Sequence, residues 1–127
     1  LDRMCGAPFP TRFLGDTLRG RKLVPLERAV QLMTKVPADL FGLEGRGTLE
    51  QGNHADIVIV DPETVGSELA ELVHDLPGDS PRLTAQSIGV HRVLVNGVVT
   101  VVDGKPTGEL AGSILRSGRD TRTVATS

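Results

Sequence analysis

Asn96-Gly97 stands between two runs rich in β-branched residues, Val90–Val95 and Val98–Val102, and no other feature narrows the fold as sharply. A two-residue loop joining antiparallel strands needs positive φ at both positions, which Asn and Gly tolerate best. The spacing therefore predicts a hairpin over 90–102. Asp103-Gly104 follows as a second turn signal. Upstream, Ala55-Asp56-Ile57-Val58-Ile59-Val60-Asp61-Pro62 puts four β-branched residues in a row before an Asp-Pro stop. That run predicts a strand covered on both faces, in the same small sheet system as the hairpin.

The first forty residues read differently. Leu26, Ala29, Val30 and Met33 fall at i, i+3, i+4 and i+7, the stripe of an amphipathic helix, with Pro25 and Glu27 at its start. A shorter helix is expected over 11–19, with Thr11 as its N-cap and Phe13, Leu14 and Leu18 on its apolar side. Pro37 ends the second helix and opens a third over 37–41, closed by Gly42. Residues 63–89 leave two readings open. Leu69, Leu72, Val73 and Leu76 would line a helical turn, whereas Pro77, Gly78 and Pro81 say loop. The polar segment 117–127 is expected to be a mobile tail. Helices followed by strands make an α+β arrangement, or the end of one domain joined to a piece of another.

Size and charge exclude several classes. At 127 residues the chain is about one domain, with 39% apolar and 24% charged residues, a globular composition. Fourteen Lys and Arg against sixteen Asp and Glu argue against a nucleic-acid partner. No apolar run approaches the roughly 20 residues that span a membrane, and no signal peptide is visible, so a cytoplasmic location is expected. The single Cys forbids an intramolecular disulfide. With no Trp or Tyr and three Phe, the core must be aliphatic. A chain opening on Leu1 rather than Met is expected to belong to a longer polypeptide.

Catalytic chemistry is hard to find. His54, His74 and His91 lack the local spacing of metal ligands and read as surface or edge residues. Cys5 has no nearby His in sequence and reads as an incidental thiol. Gly45-Arg46-Gly47 lacks the third glycine and the preceding strand of a dinucleotide fingerprint. Ser113 follows Gly112 without the second glycine of a nucleophile elbow. Glu68 with Glu71 reads as solvated charge, and Asp56 with Asp61 as turn residues at the two ends of a strand. No catalytic, cofactor-binding or metal-binding residue is assigned anywhere in the chain.

One longer pattern does carry information. Pro37-Ala38, Phe41-Gly42-Leu43, Arg46-Gly47-Thr48-Leu49, Gly52 and the 55–61 run resemble the C-terminal signature of the amidohydrolase superfamily. Val95-Asn96-Gly97 and Asp103-Gly104 resemble the hairpin that closes those proteins. Phe9-Pro10-Thr11, residues 23–34 and His74-Asp75-Leu76-Pro77 are similar to the N-acyl-D-amino-acid deacylases within it. The resemblance covers nearly all of residues 5–116. It implies a (β/α)8 barrel with zinc at the C-terminal ends of its strands, beside a small β-sandwich built from both ends of the chain. There the metal activates water and polarises an amide carbonyl, and a carboxylate of the last barrel strand handles the proton.

On that resemblance, residues 1–41 are the terminal loop and helices of the barrel, 42–116 the C-terminal part of the sandwich, and 117–127 the flexible tail. The family's zinc ligands and strand-end aspartate then belong upstream of Leu1. Asp2 falls just after that aspartate, and Cys5 is not the bridging ligand. Zinc is expected in the parent enzyme and none in this piece. The implied partners are the rest of the parent chain, a small N-acyl amino acid for the parent, and another copy in a possible homo-oligomer. Two alternatives remain: a dihydroorotase- or dihydropyrimidinase-like hydrolase of cyclic amides, and a non-catalytic β module for assembly.

Overall fold

A computed structural model describes Gly6 and residues 8–124; Asp2 and Cys5 lie outside the described residues. Among these described residues three helices come first: α1 (Phe9–Leu18), α2 (Leu26–Met33) and α3 (Lys35–Leu40). Eight strands follow: β1 (Ile57–Val60), β2 (Gly66–Ser67), β3 (Glu71–Leu76), β4 (Ser80–Thr84), β5 (Ser87–Ile88), β6 (Val90–Val95), β7 (Val98–Val102) and β8 (Lys105–Pro106). The main sheet runs β1-β6-β7-β8, all antiparallel, while β2-β5 and β3-β4 form separate pairs. The α+β arrangement holds. Among the described residues no helix is long and apolar enough to cross a membrane.

The hairpin forms as its turn chemistry predicts. Asn96 (φ 49°) and Gly97 (φ 82°) are both left-handed, and Val95 faces Val98 across them. Asp103 (φ 45°) and Gly104 (φ 76°) repeat the device between β7 and β8. Thr100 is an extra residue on β7, where pairing shifts from Leu94↔Val99 to Val93↔Val101. Its hydroxyl donates to the Val93 carbonyl at 3.2 Å, so the bulge keeps a polar anchor. β1 joins the other side of β6, with Ile57 opposite Leu94.

Four expectations need correcting. β1 is not covered on both faces: it is an edge strand, and Val58 is 58% exposed because no described element lies over it. Helix α1 starts at Phe9 and not after Thr11, because Pro10 fits the first turn, where its missing N–H costs nothing. Thr11 is therefore inside the helix, and Pro8 sits at the N-cap without a side-chain bond. The third helix begins at Lys35, with Pro37 again in a first turn. Residues 71–84 are neither helix nor loop but the β3–β4 hairpin, with His74 opposite Pro81 and Asp75 bulged out of register.

The core is thin. Ala29, Ala38 and Val65 are the buried apolar side chains among the described residues. Leu26 and Val30, on the predicted stripe of α2, remain partly exposed, as do Leu40 and Phe41 at the end of α3. The polar C-terminal segment is tied back at one place: Arg122 N–H donates to the Gly42 carbonyl at 2.9 Å, and Thr121 bridges to Leu43.

Gly97 tests the turn. Replacing it with Val should cost about 2 kcal/mol, because a β-branched residue resists positive φ. Gly97→Asn, which tolerates that conformation, should cost under about 1 kcal/mol. Urea midpoints of both variants check this, and equal losses would contradict the turn assignment.

Candidate functional site

The best-connected group of polar side chains lies at the turn end of the main sheet. Asp56, one residue before β1, accepts the Asn96 backbone N–H on Oδ1 at 2.9 Å and the Arg46 guanidinium on Oδ2. Asn96 extends the network: its Nδ2 donates to the Ala111 carbonyl at 2.7 Å, and its Oδ1 lies 2.9 Å from His54 Nδ1. The Gly97 N–H donates to the Ala55 carbonyl at 2.9 Å. Four stretches of chain therefore meet at one node. The Arg46 side chain is 15% exposed and that of Asp56 35%, so water competes only in part for their ion pair.

Local sequence explains how Arg46 gets there. The glycine-rich passage turns back on α3, and Gly47 has φ 85°. A Cβ at Gly47 would stand 2.9 Å from both the Ala38 Cβ and the Thr34 carbonyl oxygen. Only glycine fits that approach. His54 N–H then donates to the Gly45 carbonyl at 2.9 Å, and Asn53 Nδ2 to Thr48 Oγ1 at 2.8 Å, which closes the loop.

A second cluster joins the helices to the strands. Arg19, at the C-terminal end of α1, donates to the carbonyls of Pro62 (2.7 Å) and Val65. That loop is shaped by Asp61, which accepts from Glu63 N–H at 2.9 Å and from the Thr64 hydroxyl at 2.7 Å. The Thr64 hydroxyl first, and then the Glu63 N–H, hold the Asp61 carboxyl below its ordinary pKa. On the β3–β4 hairpin, Arg82 grips Asp75 through two bonds of 2.7 Å and lowers its pKa in the same direction.

Among the described residues the three histidines do not converge. Each histidine contacts a different turn residue: His54 meets Asn96, His74 the Asp79 carbonyl, and His91 Asp103 at 3.4 Å. Glu68 and Glu71 are exposed. Asp56 and Asp61 occupy the two ends of β1 as turn residues. Among the described residues no three His, Cys, Asp or Glu side chains converge to hold a metal, so these residues do not fit a zinc ion. A groove of about 650 Å³ beside α1 and β2 is lined by Arg12, Asp16, Arg19 and Glu68, with no base or nucleophile paired in it. Arg19 and the Asn96 side chain escaped the sequence reading. The Asn-Gly signal could have drawn attention to Asn96, but Arg19 carries no local sign of its partners.

Among the described residues this fold carries no set of metal ligands. Residues 3–107 match the Amidohydrolase family, and the chain belongs to that family. A D-aminoacylase of Alcaligenes xylosoxydans xylosoxydans is 41% identical over 107 residues, 84% of this chain and 20% of the relative. A solved D-aminoacylase, described for the functional role of its binuclear metal centre, superposes with a TM-score of 0.58 at 36% identity. It covers 80% of this chain, which in turn spans 19% of it. The N-acyl-D-glutamate deacylase of Bordetella bronchiseptica, solved with zinc and a phosphonate mimic of the tetrahedral intermediate, gives 0.55 at 40% identity. That match covers 76% of this chain and 19% of the deacylase. Dihydroorotases match over shorter stretches. The chain thus spans about a fifth of the relatives it matches.

The lowered pKa of Asp61 has a definite sign. Its stabilisation is fully present above the unfolded value near 3.8 and is lost as pH falls through the lower folded value. The stability difference between the wild-type chain and Asp61→Asn should be constant above about pH 5 and shrink below about pH 4. Denaturant titrations across pH check this. A difference that persists unchanged into strong acid would contradict the Asp61 bonds.

Proposed function

We propose that the chain is the C-terminal part of a zinc-dependent amidohydrolase that cleaves the acyl amide of N-acyl-D-amino acids. Water splits the C–N bond, releasing a carboxylate and a free D-amino acid. The observation that carries this reading is the D-aminoacylase likeness, which runs through helices and sheet alike and yet covers only a fifth of the relative. In this proposal residues 1–41 complete a (β/α)8 barrel, 42–116 supply the C-terminal strands of a β-sandwich, and 117–127 form the tail. The metal ligands and the proton-handling carboxylate sit in the rest of the parent chain.

The uncovered surfaces support that division. Leu26 and Val30 on α2, and Phe41 after α3, offer an apolar face suited to barrel strands. Ile57–Val60 form an open sheet edge with Val58 and Ile59 exposed, suited to pairing with further strands. Left alone, the same surfaces favour self-association, in line with a possible homo-oligomer.

The test compares the chain alone with the chain joined to the reading frame upstream of Leu1. Alone, it should hold no zinc after dialysis and hydrolyse no N-acyl-D-amino acid, since a catalytic zinc takes three protein ligands. Joined, it should retain zinc and release free D-amino acids. Tightly held zinc or turnover in the chain alone would contradict the missing ligand set. Hydrolysis of only cyclic amides by the joined protein would move it to the ring-opening branch. No zinc and no turnover in the joined protein would favour the β module.

A further inference from the structure

Asn96-Gly97 has a chemistry that its turn role does not use. Glycine presents no side chain to shield its backbone nitrogen, so that nitrogen can reach the Asn96 side-chain amide. The only other asparagine, Asn53, is followed by the bulkier His54. In the reaction the Gly97 nitrogen, its proton lost to hydroxide, bonds to Asn96 Cγ. The Cγ–Nδ2 bond breaks, Nδ2 takes up a proton and ammonia leaves. Solvent water then opens the resulting succinimide at either carbonyl, leaving aspartate or isoaspartate at position 96. No electrons are exchanged with any other group.

The folded node obstructs each part of this reaction. The attacking Gly97 N–H is committed to the Ala55 carbonyl at 2.9 Å. The leaving Nδ2 is committed to the Ala111 carbonyl at 2.7 Å, and Oδ1 lies 2.9 Å from His54 Nδ1. The Asn96 backbone is pinned by Asp56. Attack therefore requires local opening of the node.

The consequence falls on the segment after β8. Leu110 is 97% exposed and Ile114 80%, so the stretch has little apolar packing of its own. Among the described residues, the bond from Asn96 Nδ2 to Ala111 is the one hydrogen bond tying residues 110–115 to the sheet. A carboxylate at position 96 has no N–H to give Ala111, and it places negative charge beside Asp56. We propose that Asn96 is a deamidation site held off by the folded node, and that its conversion irreversibly unfastens residues 110–115 from the sheet.

Peptide mapping of the 127-residue chain, incubated in mildly alkaline buffer with and without urea, tests the first half. The product should be confined to position 96 and form at least about tenfold more slowly in the folded chain, because reaction waits on local opening. Limited proteolysis tests the second half. Asn96→Asp should speed cleavage within 110–115 and leave cleavage in α1 unchanged. Asn96→Gly keeps the left-handed turn but lacks the amide, and it should show the same release should the charged variant prove too unstable. Equal deamidation rates with and without urea, or unchanged cleavage within 110–115 in both variants, would overturn the proposal.

Discussion

The carboxylate of Asp56 is the contact on which the sheet end depends. It holds Arg46 from the glycine-rich passage and the Asn96 N–H from the hairpin turn, residues 10 and 40 positions away. Through Asn96 the same network reaches His54 and Ala111. Hydrogen bonds to charged groups are worth about 1.5–3 kcal/mol where water is partly excluded. In a chain with three buried apolar side chains among its described residues, such bonds are a large share of the total. The aliphatic strands supply surface, and the polar node decides how they close.

That balance fits a piece of a larger protein better than a self-sufficient domain. A free-standing domain of this size buries roughly two-thirds of its unfolded surface around a continuous core. Here Leu26 and Val30 on α2, and Val58 and Ile59 on β1, are left exposed. The polar clusters at Asp56 and Asp61 organise backbone turns, with both carboxylates engaged in hydrogen bonds. Membership of the amidohydrolase family, over about a fifth of the length of the relatives, is in keeping with a piece of a larger protein.

What the sequence made legible was local. The Asn96-Gly97 hairpin and the α2 stripe follow from neighbouring residues, and both formed within the expected bounds. The β3–β4 hairpin was hidden because the bulge at Asp75 breaks the two-residue alternation that marks a strand. The covered β1 was a misreading of a different kind: four β-branched residues say that something should lie on both faces, but not that it lies within this chain. The node was half visible. Asp56 was legible as a turn residue before its strand, while its bonds to Arg46 and Asn96 depend on chain reversals that no local pattern records.

A double-mutant cycle between Arg46→Ala and Asp56→Ala measures the central contact directly. If the node organises the sheet end, denaturant unfolding should give a coupling of at least about 1 kcal/mol, with the two single losses far from additive. Additive losses, with coupling indistinguishable from zero, would mean that the ion pair is surface ornament and that the strands close without it.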